Sequence, residues 1–188
     1  MDMRKLHGSD MGARSEWWAD MLARRTGESV WVGELSGTAV HIVHQAAPPD
    51  DMVQPLDGDS AIPWHACALG QAIVASLDDD DQETILAAPA QRLTGLTVTD
   101  PEGLRQMLAM TRARGYAVEA HAATLGEAGI AAPLFDAAGQ AVGAIGIVGD
   151  AERLLSVEQQ NLADAVCATA RALSQDAGAG SATRPAGG

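Results

Sequence analysis

The stretch EAGIAAPLFDAAGQAVGAIGIVG, residues 127–149, contains two β-rich runs joined by a short turn. Residues 127–136 form the first run; residues 141–149 form the second, which is apolar on both faces and is therefore predicted to be a central strand. The intervening AAGQ, residues 137–140, is typical of a turn. Strands connected this closely pair antiparallel, so the stretch predicts an antiparallel sheet.

The rest of the chain adds a second hairpin and blocks of helices. Residues 28–35 and 38–45 are β-rich and are separated by the turn signal SG, while YAVEAH, residues 116–121, alternates as a strand does. Residues 46–61 read as a loop with a short edge strand at 52–54. Helices are predicted at 16–26 (with Ser15 as its cap), 64–77, 78–89, 101–115 and 156–175. This order predicts an α+β fold, an antiparallel sheet flanked by helices.

The length of 188 residues suits one domain. Residues 1–14 show no periodicity and hold two glycines, so they are predicted to form a flexible leader. Residues 15–175 are predicted to form the domain. Residues 176–188, rich in Gly and Ala, are predicted to be a disordered tail.

The net charge of −13 argues against several classes of partner. Nucleic-acid binding depends on Lys and Arg, and no such residue lies between Arg25 and Arg92, so we expect no direct nucleic-acid contact by this chain. Anionic membranes would repel it as well, and no run is long and apolar enough to span one. Cys67 and Cys167 fit buried thiols in a reducing compartment, so a cytoplasmic location is expected.

Four sequence blocks in register resemble the C-terminal effector-binding domain of the IclR family of bacterial transcription factors. They are LARRTGESVWVGELSGTAVHIVHQ (22–45), IPWHACALGQAIVA (62–75), LTGLTVTDPEGLRQMLAMTRARGYAVE (93–119) and GIAAPLFDAAGQAVGAIGIVGDAERL (129–154). The resemblance covers residues 15–175 and implies a GAF-like fold. It further implies a sensor that binds a small organic acid and forms a homodimer or tetramer. We expect no enzymatic activity, no cofactor and no metal, although some relatives hold a metal.

The second block suggests how an acid is held. Pro63 predicts a helix start near His65, and the first turn of a helix presents free amides that bind carboxylates without a cation. The resemblance assigns this task to the amides of Ala68 and Leu69. The predicted pocket is completed by six further residues: Ile62, Trp64, Glu119, Gly129, Gly146 and Val148.

Three positions depart from the pattern of the family. Gly129, Gly146 and Val148 stand where relatives often offer polar side chains. Glycine leaves room, so a bulkier and partly apolar ligand such as an aromatic acid is expected; the alternative is an empty, degenerate pocket.

Other interpretations of the same residues stay open. His65 and Cys67 are two positions apart, so on a helix they diverge by about 200° and make a poor nucleophile–base pair for a hydrolase. A metal cluster of His65, His121 and Glu119 is conceivable. The Trp17/Trp18 pair suits an interface, although Trp18 also fits the core.

The DNA-binding unit of the family has no counterpart in residues 1–14, so control of DNA is expected to belong to a module outside this chain. The alternative is a stand-alone GAF-like interaction protein that forms mixed oligomers with a full-length regulator.

Overall fold

The computed structural model describes residues 5–48 and 61–181. It contains a six-stranded antiparallel sheet in the order β3-β2-β1-β6-β5-β4. The strands are β1 (Ser29–Ser36), β2 (Ala39–Ala46), β3 (Ala61–Pro63), β4 (Ala117–Ala120), β5 (Glu127–Phe135) and β6 (Ala141–Asp150). The helices are α1 (Lys5–Thr26), α2 (Ala68–Ala75), α3 (Asp79–Leu86), α4 (Pro101–Arg114), α5 (Ala151–Leu154) and α6 (Gln159–Ser181). The predicted α+β class and antiparallel sheet are confirmed.

The two predicted hairpins form the centre of this sheet. β5 and β6 pair along their whole length, and β6 also pairs with β1, so the doubly apolar run at 141–149 is central as predicted. Gly37, at a φ of 61°, makes the turn between β1 and β2. The short edge strand predicted at 52–54 lies outside the described residues, and β3 forms the edge beside β2.

Helices cover both faces of the sheet. α1 and α6 cover one face, where Leu22 and Val166 pack against Ile130 and Ile145. α2 covers the other face, which we call the α2 face. Every residue of α2 is buried, because α2 also carries α3 and α4 on its outer side through Val74, Leu86, Leu104 and Leu108.

The first helix corrects the predicted leader. α1 begins at Lys5, so Ser15 is not its cap but a buried residue inside it, whose hydroxyl donates to the Gly12 carbonyl. A methyl group on Gly12 would stand 3.0 Å from the Val43 carbonyl oxygen. The glycine therefore allows close packing on β2, and this tertiary contact outweighs the weak local helix signal.

The last helix is also longer than predicted. α6 continues to Ser181, so the residues from 176 to 181 are helical rather than disordered, and residues 182–188 lie outside the described part. In residues 5–48 and 61–181, no helix is long and apolar enough to cross a membrane.

Candidate functional site

The start of α2 differs from the predicted helix that begins near His65. Residues Trp64–Ala66 form a single 3-10 turn, and Cys67 is extended at φ −142° and ψ 147°. The helix proper begins at Ala68, and its first helical hydrogen bond runs from the Gln71 amide to the Cys67 carbonyl. The Gln71 side chain also donates to the His65 carbonyl at 3.0 Å, which ties the turn to the helix.

The first three amides of α2 therefore belong to Ala68, Leu69 and Gly70. They precede the first helical hydrogen bond, so none of them has an acceptor within the helix. The Cys67 side chain lies beside them. Burial raises the pKa of its thiol to about 12, although hydrogen bonds from the Gly70 and Leu69 amides act in the opposite direction. The thiol is thus neutral at physiological pH, so Cys67 supplies no anion to the positive end of the α2 dipole.

The sheet beneath this end brings four predicted residues together on the α2 face. Glu119 pairs with Gly129, and Gly129 pairs with Val148, so these three form one cross-strand row. Gly146 lies in the next row on the same face, beside Ala131. Ala68 lies directly above Gly129, so five of the eight predicted residues converge, while Leu69 lies above Gly33 on the neighbouring strand β1.

The two glycines of the site do not open space, contrary to expectation. A methyl group on Gly129 would stand 3.2 Å from the Cβ of Ala68, so α2 packs directly on the strand there. One on Gly146 would stand 2.6 Å from the Cβ of Ala131. Both glycines serve close packing, and the argument from them for a bulky ligand fails.

The remaining two predicted residues lie to the side. Ile62 is on the edge strand β3 and packs against the cluster between α2 and the sheet. Trp64 is 3% exposed and packs on the outer side of α2 with Leu86, Leu104 and Leu108. Trp64 therefore supports the helix from outside and does not face the sheet.

Glu119 is the ionisable group of the site. Its side chain is buried, and its Oε1 accepts a 2.5 Å hydrogen bond from the Ala122 amide. Burial raises the pKa of the carboxyl to about 7, the amides of Ala122 and Ala123 oppose the shift, and the charge of Glu127 adds to it. Near neutral pH this group exists in both forms, so it can either donate or accept a hydrogen bond.

Sequence reasoning missed Trp31 on β1. Trp31 pairs with Gly146 and packs with the residues under α2. Its indole Nε1 is buried and has no hydrogen-bond partner in the part of the chain that the structure describes. A tryptophan in a strand, cross-strand from a glycine, is the signal that could have pointed to a donor here.

The catalytic and metal interpretations lack the necessary geometry. His65 Nε2 lies 2.8 Å from the Gln91 carbonyl oxygen, and His121 Nδ1 accepts from the Gly126 amide. With the Cys67 thiol neutral, no activated nucleophile is present at this position. Within residues 5–48 and 61–181, no three His, Cys, Asp or Glu side chains are grouped so that they could hold a metal ion.

Comparison with known proteins agrees with the fold described above. Residues 3–175 match the family described as bacterial transcriptional regulator IclR C-terminal. The glycerol operon regulatory protein of Streptomyces coelicolor is 40% identical over 91% of this chain and 68% of its own length.

Two solved structures share the fold. The IclR of Thermotoga maritima has a TM-score of 0.82 at 23% identity, over 93% of this chain and 73% of its own. The inducer-binding domain of PobR from Acinetobacter, solved as a double mutant in complex with 3-hydroxybenzoic acid, has a TM-score of 0.73 at 24% identity, over 88% and 95%.

The curated relatives are named as regulators of transcription, which confirms the prediction that this chain is not an enzyme. The matched family, its extent and the 40% identical relative also confirm the resemblance found in the four sequence blocks. The chain belongs to the IclR family of bacterial transcriptional regulators, as its C-terminal domain.

Proposed function

We propose that this domain senses a compact organic anion, whose charged group is held by the amides of Ala68 and Leu69. The observation that carries the proposal is the start of α2, where the first amides make no helical hydrogen bond and lie beside a thiol that stays neutral. A helix N-terminus binds an anion with no cationic side chain. This suits a protein of net charge −13.

A compact ligand fits better than the aromatic acid expected from the sequence. Ala68 packs on Gly129 with no gap, so the ligand lies beyond the end of α2, near Glu119 and Val148. The Trp31 indole N–H is an additional donor on this face. One relative is a glycerol operon regulatory protein, which favours a ligand of about the size of glycerol, such as a small hydroxy acid or the phosphate ester of a small polyol.

The ligand would control DNA binding by a part of the regulator other than residues 5–181. The acidic charge of the chain supports this division of labour. Regulation of transcription in a bacterium takes place in the cytoplasm, where the proposal places the domain.

Calorimetric titration of the chain tests the ligand class. The probes are glycerate, glycerol 3-phosphate, neutral glycerol and 3-hydroxybenzoate. Binding of either compact anion with no binding of glycerol supports the proposal. The tighter of the two anions shows whether the charged group of the ligand is a carboxylate or a phosphate. Binding of 3-hydroxybenzoate alone restores the aromatic expectation, and binding of none of the four favours an empty pocket.

Ala68→Pro tests the amide directly. Ala68 is the first residue of α2, where proline is tolerated, and the extended Cys67 suits a residue that precedes proline. We expect an affinity loss of roughly tenfold or more, since a hydrogen bond to a charged group is removed. Asp79→Pro, at the first position of α3, is the matched control and should leave ligand affinity unchanged.

Assembly as a homodimer or tetramer remains a prediction. Trp17 on α1 is 60% exposed and makes an edge-to-face contact with Trp18, which packs partly into the core. An exposed indole of this kind favours an interface. Light scattering of the wild-type chain and of Trp17→Ser tests it: a smaller mass for the variant supports the interface, and a monomeric wild type refutes it.

A further inference from the structure

A separate cavity lies at the other end of α2, and it belongs to no site described above. Its volume is about 350 Å³, and it opens between the C-terminal ends of α2 and α4 and the end of β5. It is lined by Ala72, Ala75, Ser76, Thr111, Arg112, Gly115, Pro133 and Phe135. None of these residues is part of the anion site proposed at the start of α2.

Thr111 contributes the one feature of this cavity that points to a ligand. The residue is 2% exposed, and its hydroxyl is buried with no hydrogen-bond partner in the described part of the chain. Helical threonines normally bond to the carbonyl one turn earlier. Thr26, Thr84 and Thr169 do so in this protein, donating to Leu22, Asp80 and Ala165.

The other polar groups around the cavity are already bonded. Arg112 donates to the carbonyls of Ala75 and Leu77 and to the Asp79 carboxylate, so its guanidinium is already hydrogen-bonded. The Ser76 hydroxyl donates to the Ala72 carbonyl. The rest of the lining comes from Ala72, Ala75, Gly115, Pro133 and Phe135, and the exposed lining is more apolar than polar. The cavity thus offers an apolar surface and one unused hydroxyl.

We propose that this cavity is a second small-molecule site, which takes a compact, neutral, mostly apolar molecule with one hydrogen-bonding group, such as a phenol. The apolar walls bind the ring, and the Thr111 hydroxyl pairs with the polar group. An anion is disfavoured because the guanidinium of Arg112 is already paired. The site does not depend on the anion site at the start of α2, so either can exist without the other.

The first test is a titration of the chain with phenol, followed by the methyl resonances in NMR spectra. We expect shifts at Ala72, Ala75 and Thr111. Shifts confined to Leu69 and Val148 would place phenol at the anion site and overturn the proposal. Cavity resonances that move with protein concentration before phenol is added would also overturn it, because a second copy would then be the occupant.

The second test compares phenol with toluene, which has the same shape and no hydroxyl. Thr111→Val keeps the shape of the side chain, and we expect it to weaken phenol about three- to tenfold and to leave toluene unchanged or tighter. Thr169→Val removes a buried helical hydroxyl that is already bonded, and should change neither affinity. Equal phenol affinity in wild type and Thr111→Val would overturn the role of the hydroxyl.

Discussion

Gly70 lies against Trp64 so closely that a methyl group on its Cα would stand 2.3 Å from the Trp64 carbonyl oxygen. The neighbour is backbone and cannot rotate away, so Gly70→Ala must displace the 3-10 turn from α2. We expect a loss of about 2–3 kcal/mol in the free energy of unfolding. Urea denaturation measures it. Gly95→Ala adds a methyl group that meets no atom within 4 Å, and should change stability little or raise it slightly.

Glu119 makes stability depend on pH. Burial holds the pKa of its carboxyl at about 7 in the folded chain, above its ordinary value of 4.5. Between these values the folded state keeps a proton that the unfolded state loses, so stability falls as pH rises from about 4.5 to 7. The full loss is up to about 3 kcal/mol.

Glu119→Gln should remove this loss. Urea denaturation at pH 5.0 and pH 7.5 measures how the free energy of unfolding changes with pH in the wild type and in the variant. The exposed Glu16→Gln is the control and should keep the pH dependence of the wild type. An unchanged slope in Glu119→Gln would mean that the carboxyl ionises normally.

Arg153 on α5 and Glu28, just before β1, join these two elements. Arg153 Nε and Glu28 Oε1 are 2.5 Å apart, and Glu28 is only 4% exposed. Arg153→Gln leaves this buried carboxylate without its guanidinium, and we expect a loss of about 1–3 kcal/mol, limited because Arg153 is open to water.

The double variant Glu28→Gln/Arg153→Gln should recover part of that loss, because it removes the buried charge too. Arg105 makes a comparable bidentate pair with Glu83 on the surface, and Arg105→Gln should have a much smaller effect. Equal losses in the two arginine variants would contradict the role given to burial.

The two thiols should differ in reactivity. Burial raises the pKa of Cys67 to about 12 and raises that of the half-exposed Cys167 as well. Attack on a disulfide reagent needs the thiolate, so we expect slow labelling in the folded chain and mostly at Cys167. Labelling of Cys167→Ala at pH 8 should be almost absent until urea is added, and fast labelling would show that Cys67 is open.

The hairpins and the central strand were predictable because their signals are local. Each turn, at 36–37 and at 137–140, lies within a few residues of the apolar runs that it connects. Asp100 and Gly115 delimit α4 as predicted, with the Asp100 carboxylate accepting from the Gly103 amide. The start of α1 was not predictable, since Lys5–Arg14 become helical through contacts such as Gly12 against β2.

The placement of several candidate residues on one face of the sheet was predictable, and the shape of the space above them was not. Period-two alternation puts Glu119, Gly129 and Val148 on one face. Sequence could not show that Ala68 fills the space above Gly129, or that Trp64 turns to the outer side of α2, because both depend on how α2 sits between two layers.

The sheet separates α2 from α1 and α6, so a ligand bound on the α2 face can affect these two helices only through the strands. On β1, Trp31 faces α2, while its neighbours Val30 and Val32 pack under α1 and α6. A molecule that moves the indole would displace the backbone of β1, and α1 and α6 would move with that backbone. Ligand binding on the α2 face would therefore reach α1 and α6 as a change in the tilt of β1, and the stiffness of β1 would set the size of that change.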